Sequence, residues 1–152
     1  MLNTALEIDV AADAHTAWTV LWEVERYPDF LTDVLDVSVE SNGNRAEQLA
    51  TFDVRVFKAR RFRVHMWGEA PHFVAWKLID GEHLRIADGR WEVSTLGEGQ
   101  VRLAYSLDLD LSIPVPQAIA RQAAQFTLPS LLRQVRARIE SRESKPAMGT
   151  EF

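Results

Sequence analysis

Hydrophobic and polar positions alternate without a break from Val101 to Leu111. Val101, Leu103, Tyr105, Leu107, Leu109 and Leu111 share one parity, and Arg102, Ala104, Ser106, Asp108 and Asp110 the other. A period of two over that length predicts a strand that is wet on one face and covered on the other. Ser112-Ile113-Pro114-Val115-Pro116 ends it, and Pro116 suits a first helical position, where a missing N–H costs little. The spacing then turns helical as far as Arg142. Ile119, Ala123, Phe126, Leu128, Leu131, Leu132, Val135 and Ile139 form an apolar stripe, with Arg121, Arg133, Arg136 and Arg138 opposite. Such a helix is predicted to fold back and cover the sheet of the strand before it. Pro129 lies inside the stripe, deprives the Gln125 carbonyl of its donor and predicts a kink.

From the other end, Thr4 to Val10 alternates Leu6, Ile8 and Val10 against Glu7 and Asp9, a half-buried strand. Asp13 follows as an N-cap for a helix through Trp22, whose buried face carries Ala17, Val20, Leu21 and Val24. Pro28 is expected to stop that helix and open a second, short one, with Tyr27 at the bend. Strand patterns then succeed one another. Leu35, Val37 and Val39 end at the turn Ser41-Asn42-Gly43-Asn44. Gln48 to Phe57 carries Ala50, Phe52, Val54 and Val56 on one parity, and the basic turn Lys58-Ala59-Arg60-Arg61 leads to Phe62, Val64 and Met66. After Pro71 come His72 to Ile79, a turn at Asp80-Gly81, Leu84 to Thr95, and a turn at Gly97-Glu98-Gly99.

One strand, two helices, six strands and one long helix, joined by short turns, predict an α+β protein with helices on one face of an antiparallel sheet. The 152 residues suit one domain, 1–143, followed by a tail, 144–152, where the apolar stripe stops and disorder is expected. There is no cysteine, which excludes disulfides, thiolate nucleophiles and zinc–cysteine sites. A net charge of −5 gives no support for a general affinity for nucleic acid. The start lacks a basic region followed by an apolar run, and no stretch approaches the ~18 apolar residues of a membrane span, so a cytoplasmic location is expected. Nothing in the sequence sets an oligomeric state.

This order of elements, with particular residues in it, resembles the helix-grip superfamily of START lipid-transfer domains, birch-pollen-allergen-like proteins and polyketide cyclases. Ala5-Leu6-Glu7-Ile8-Asp9-Val10-Ala11-Ala12, Ala17-Trp18, Trp22 and Tyr27-Pro28-Asp29-Phe30-Leu31 resemble its first strand, first helix and YPxFL signature. Trp76-Lys77-Leu78, Gly89-Arg90-Trp91-Glu92-Val93 and Leu128-Pro129-Ser130-Leu131-Leu132 resemble its later half. The similarity is greatest to bacterial polyketide cyclase/dehydrase and lipid transport proteins, and to coenzyme Q-binding and ribosome-association-toxin relatives. It implies a bent seven-stranded sheet gripping the C-terminal helix, β-α-α-β6-α, with a deep apolar cavity between. It implies a hydrophobic ligand such as a lipid, isoprenoid quinone or polyketide, and no particular reaction.

Among candidate chemical groups, His15, His65, His72 and His83 have no spacing that pairs them as metal ligands, and no metal or other cofactor is expected. The aromatic side chains Trp22, Tyr27, Phe30, Phe52, Trp76, Trp91, Tyr105 and Phe126 come from both helical regions and at least four strands. Half of them are explained by an ordinary core; as a set they suit the walls of a ligand cavity, with Tyr27 and Phe30 facing Phe126 across its mouth. The basic set Arg55, Lys58, Arg60, Arg61 and Arg63, with Phe57 and Phe62 between, reads first as a solvated hairpin tip. An exposed tip could touch a membrane or a ribosome through Arg60 and Arg61. An inward Arg55 or Arg63 could instead hold a carboxylate or enolate, as in an aromatase/cyclase or dehydratase. Arg55 shares parity with Leu49, Thr51 and Phe57, and is therefore expected outward.

Overall fold

The structure, a computed structural model, describes residues 2–40, 46–56 and 58–149. The alternating opening stretch forms β1 (Leu2–Val10), and Asp13 caps the next helix, its Oδ1 accepting the Thr16 N–H at 2.8 Å. That helix, α1 (Ala14–Trp22), does not run to Pro28. Its last turn closes on the Glu23 N–H, which donates to the Thr19 carbonyl, and Pro28 lies inside a separate 3-10 helix, Val24–Asp29.

Six strands follow: β2 (Val34–Glu40), β3 (Glu47–Val56), β4 (Lys58–Glu69), β5 (Phe73–Gly81), β6 (Leu84–Gly97) and β7 (Gln100–Leu111). Each pairs antiparallel with the next, and β1 pairs with β7, so the spatial order is β1-β7-β6-β5-β4-β3-β2. This is the seven-stranded antiparallel sheet of an α+β protein. Register shifts interrupt the β2–β3, β4–β5 and β6–β7 ladders, and such bulges bend the strands that carry them. The turn expected at 41–44 lies outside the described residues.

Two turns fall elsewhere than the residue types suggest. The β5–β6 hairpin turns at Glu82 and His83, with His83 at φ 58°, because Asp80 and Gly81 are still paired with Arg63 and Phe62 of β4. The β3–β4 hairpin has no basic turn: Val56 pairs with Lys58 and Arg55 with Ala59, so Lys58 to Arg61 are already strand. On the outer face, cross-strand partners carry ion pairs. Arg102 reaches Asp9 at 2.8 Å, Arg61 reaches Asp53 at 2.8 Å, and Arg63 reaches Asp80 at 3.2 Å. Hydrogen bonds from Arg102 and Arg61 hold the Asp9 and Asp53 carboxyls below their usual range. Exposed pairs of this kind add little stability, but they match the register.

After β7 come α2 (Gln117–Gln122), a π-helical turn (Ala123–Thr127) and α3 (Leu128–Gly149). Where the kink is expected, the chain forms a π-helical turn immediately before Leu128 and Pro129. A π turn bonds five residues back instead of four, which suits a carbonyl whose usual partner is a proline. Position 144 onward, expected to be a tail, is helical to Gly149, since each residue added to a formed helix gains a bond; 150–152 lie outside the described residues. The C-terminal part of α3 packs on β1 and α1. Ile139 is fully buried with Val10, Ala17, Leu21, Val101 and Leu103, the Ala11 N–H donates to Glu140 at 2.9 Å, and Arg142 pairs with Glu23 at 3.0 Å. Replacing Ile139 with Ala should cost about 3 kcal/mol in urea unfolding, by lost transfer energy plus a cavity that packed strands cannot close.

Candidate functional site

Where the N-terminal part of α3 crosses the sheet, the side chains do not meet. A cavity of about 240 Å³ lies between them. Its walls follow from strand parity: Phe52 and Val54 of β3, Phe62, Val64 and Met66 of β4, Trp76 of β5, Ala87 and Trp91 of β6, and Tyr105, Leu107 and Leu109 of β7. Leu128, Leu131 and Val135 of α3 form the roof, and Val24, Tyr27 and Leu31 close one side. The exposed lining residues Thr32, Asp33, Arg55 and Thr127 mark the mouth. There the Gln134 amide accepts from the Thr32 N–H at 3.4 Å and donates to the Thr32 hydroxyl at 3.3 Å, joining the loop to α3.

Five of the eight aromatic candidates line this cavity: Tyr27, Phe52, Trp76, Trp91 and Tyr105. Phe52 stacks on its cross-strand partner Phe62, rings 3° from parallel with centroids 5.3 Å apart. Trp91 and Tyr105 are also cross-strand partners, 4.5 Å apart. The other three candidates lie elsewhere. Trp22 stacks on Trp18 at 5.3 Å, one turn back on α1. Phe30 packs edge-on behind Tyr27, with the Arg138 guanidinium 5.2 Å over its ring. Phe126 is 63% exposed and does not line the cavity, contrary to the expected mouth. Carrying the stripe through Ile119, Ala123 and Phe126 assumes 3.6 residues per turn. The π turn resets that phase, so that Leu128 takes the inward position and exposed Thr127 the mouth.

The polar groups inside are few. The Tyr27 hydroxyl donates to the Leu21 carbonyl at 2.6 Å. Burial pushes both the Tyr27 and Tyr105 phenols well above their ordinary range, with nearby Tyr105 and Glu25 adding to the effect at Tyr27. Both therefore stay protonated, as donors and not as bases. Ser130 and Gln134 of α3 also line the space, and so does Arg60, which is only 4% exposed. This corrects the expected exposure of Arg60; Arg55, Arg61 and Arg63 are exposed, as a solvated tip implies. Arg60 faces inward because it sits in β4 on the parity of Phe62, Val64 and Met66, and pairs with Val54. The signal was present in the sequence: that alternation extends back by one step. Arg61 stays outside on Asp53, Arg63 on Asp80, and Arg55 is exposed at the rim, so a surface contact through Arg60 is not available. Among the described residues no group of three or more His, Asp or Glu gathers to hold a metal, and no helix is long and apolar enough to cross a membrane.

A seven-stranded antiparallel sheet closed over by a long C-terminal helix is the START-like helix-grip fold, and solved structures share it. A START superfamily protein from Mycobacterium smegmatis superposes with a TM-score of 0.78 at 22% identity, over 91% of this chain and 97% of its own. The Zhui aromatase/cyclase from Streptomyces sp. R1128 gives 0.76 at 17%, over 93% and 94%. A protein from Thermus thermophilus gives 0.77 at 16%, over 95% and 99%. No curated protein matches the chain. The sequence profile of the polyketide cyclase/dehydrase and lipid transport family matches residues 10–136, and the chain belongs to that family.

Tyr105 is buried and Tyr27 half-buried with its hydroxyl held by the Leu21 carbonyl, and both phenols are raised. Absorbance titration of the folded protein should therefore show phenolate only above about pH 10, where free tyrosine ionises. Because the folded-state values are raised, the unfolded chain loses these protons first. Stability is intact below about pH 10 and should fall as pH rises above it, read as a declining urea midpoint.

Proposed function

We propose that this protein binds a hydrophobic small molecule with an apolar body and one carboxylate or carbonyl oxygen. The observation that carries the reading is Arg60, a buried guanidinium in a cavity otherwise walled largely by aromatic and aliphatic side chains. A carboxylate or carbonyl oxygen placed beside that guanidinium in a largely apolar space would gain a charge-assisted hydrogen bond. The apolar body gains about 25 cal/mol per Å² buried, less the cost of ordering. A lipid acid, an isoprenoid quinone and a polyketide all have this combination of parts, and membership of the polyketide cyclase/dehydrase and lipid transport family supports the class.

Native mass spectrometry of the protein purified from cells, followed by extraction, should reveal a bound apolar compound. Replacing Arg60 with Met should weaken an oxygen-bearing ligand about 10- to 100-fold, the scale of one charged hydrogen bond, and leave a hydrocarbon analogue within about threefold. A protein that carries nothing, or a variant that loses both ligands equally, would count against the reading.

A second reading has a specific observation in its favour. Arg60, Tyr27 and Tyr105 line the same cavity, which is the set an aromatase/cyclase or dehydratase could use. The guanidinium and a tyrosine hydroxyl would hydrogen-bond a ketone oxygen and stabilise the enolate formed there. Its α-proton would pass to a solvent base, water or hydroxide, and the alkoxide left by ring closure would take a proton back from water. Incubation with a linear poly-β-ketone thioester tests it: ring closure by the native protein that is lost in Arg60→Met supports catalysis, and unchanged spontaneous product removes it.

A further inference from the structure

Gly89 of β6 stands directly opposite Trp76 of β5, and the ladder between these strands runs from Phe73 and Glu92 to this pair and stops there. A little further along β5, the Leu78 N–H donates to the Asp88 carboxylate at 3.0 Å. Ala87, Gly89 and Trp91 share the inward parity of β6. Ala87 and Trp91 line the cavity and Gly89 does not, because Trp76 covers it. A Cβ at position 89 would fall 2.1 Å from Trp76 Cζ2, 2.5 Å from Cε2 and 2.8 Å from Cη2. The indole therefore lies across the glycine, with no room for even a methyl group beneath it. The indole also meets Tyr105 at 6.1 Å and a 33° tilt, and Tyr105 in turn meets Trp91.

We infer that Gly89 and Trp76 form a size gauge that shapes one wall of the cavity into a flat aromatic slot and selects planar, unsaturated ring compounds over flexible chains. The inference rests on the cavity-binding reading above and adds the ligand's shape to it. Ordinary contact begins near 3.4 Å, so any side chain at 89 must move the indole by more than an ångström. Trp76 lines the cavity, so a displaced indole would intrude on the space left for a ligand. On the adjoining strands β4 and β3, Phe62 and Phe52 stack on each other and line the same cavity, continuing the aromatic wall. A flat ring system gains stacking on such faces beyond its buried area, and a saturated chain does not. A narrowed slot penalises the rigid ring most, since a flexible chain can rearrange.

The test uses two ligands with the same carboxylate, naphthoate and decanoate, so that any contribution from Arg60 is common to both. Calorimetry should show the native protein favouring naphthoate. Gly89→Ala should weaken naphthoate about tenfold, the scale of one methylene in a tight pocket, and leave decanoate nearly unchanged. The thermal midpoint should also fall. In a Trp76→Leu background, Gly89→Ala should change neither the affinities nor the midpoint, because the atoms it collides with are gone. Equal weakening of both ligands by Gly89→Ala, or an effect undiminished in the Trp76→Leu background, would overturn the gauge. Should Gly89→Ala fail to fold alone, the double variant decides: rescue by Trp76→Leu supports the gauge, and a double variant that is also unfolded overturns it. A native protein that binds neither acid fails the cavity reading itself and the selection with it. Binding with uncoupled changes fails the gauge alone.

Discussion

One helix cannot cover seven strands. Six inter-strand spacings of about 4.8 Å make a sheet roughly 29 Å wide, and a helix with its side chains is about 10–12 Å across. The sheet has to bend round α3, and its bulged ladders between β2–β3, β4–β5 and β6–β7 supply bends. Contact is then complete along only part of the helix. Ile139 closes onto β1 and α1 at one end, and at the other Leu128, Leu131 and Val135 face a space that the aromatic side chains border and do not fill. The cavity follows from this mismatch of widths. The chain keeps it open with rigid rings whose positions are set in pairs, Phe52 with Phe62 and Trp91 with Tyr105.

The few polar groups in that space differ in kind. Tyr27 commits its hydroxyl to the Leu21 carbonyl at the end of α1, tying the first helix to the cavity wall, and so serves the fold as well as the site. Arg60 brings a guanidinium to a largely apolar wall, where it is suited to hold a ligand oxygen. At the mouth, polar lining residues and the Thr32–Gln134 contact sit where water reaches, so the dry interior and the wet rim are separated along the length of α3.

Much of the fold was legible because it depends on periodicity. The alternation that begins at Val101 holds in β7 as far as Leu109, and Asp13 caps α1 as its residue type implies. The site was half legible. Tyr27, Phe52, Trp76, Trp91 and Tyr105 share one cavity, but Trp22 turns to Trp18 and Phe30 to the back of Tyr27. Periodicity assigns a face and says nothing about the neighbour met there. Phe126 shows a different failure, because a single π turn shifts the phase of every helical position counted across it.

The sequence by itself determined the number, order and sidedness of the elements, since alternation and helical spacing are properties of consecutive residues. It also determined that no thiol chemistry is possible. Only the tertiary structure decided which arginine enters the cavity. The basic segment reads as a turn until the β3–β4 register fixes Lys58 to Arg61 in a strand, and that register comes from pairing between chain segments. The close fit of Trp76 on Gly89 is of the same kind: it exists because two strands meet at one pair, and no count along either strand contains it.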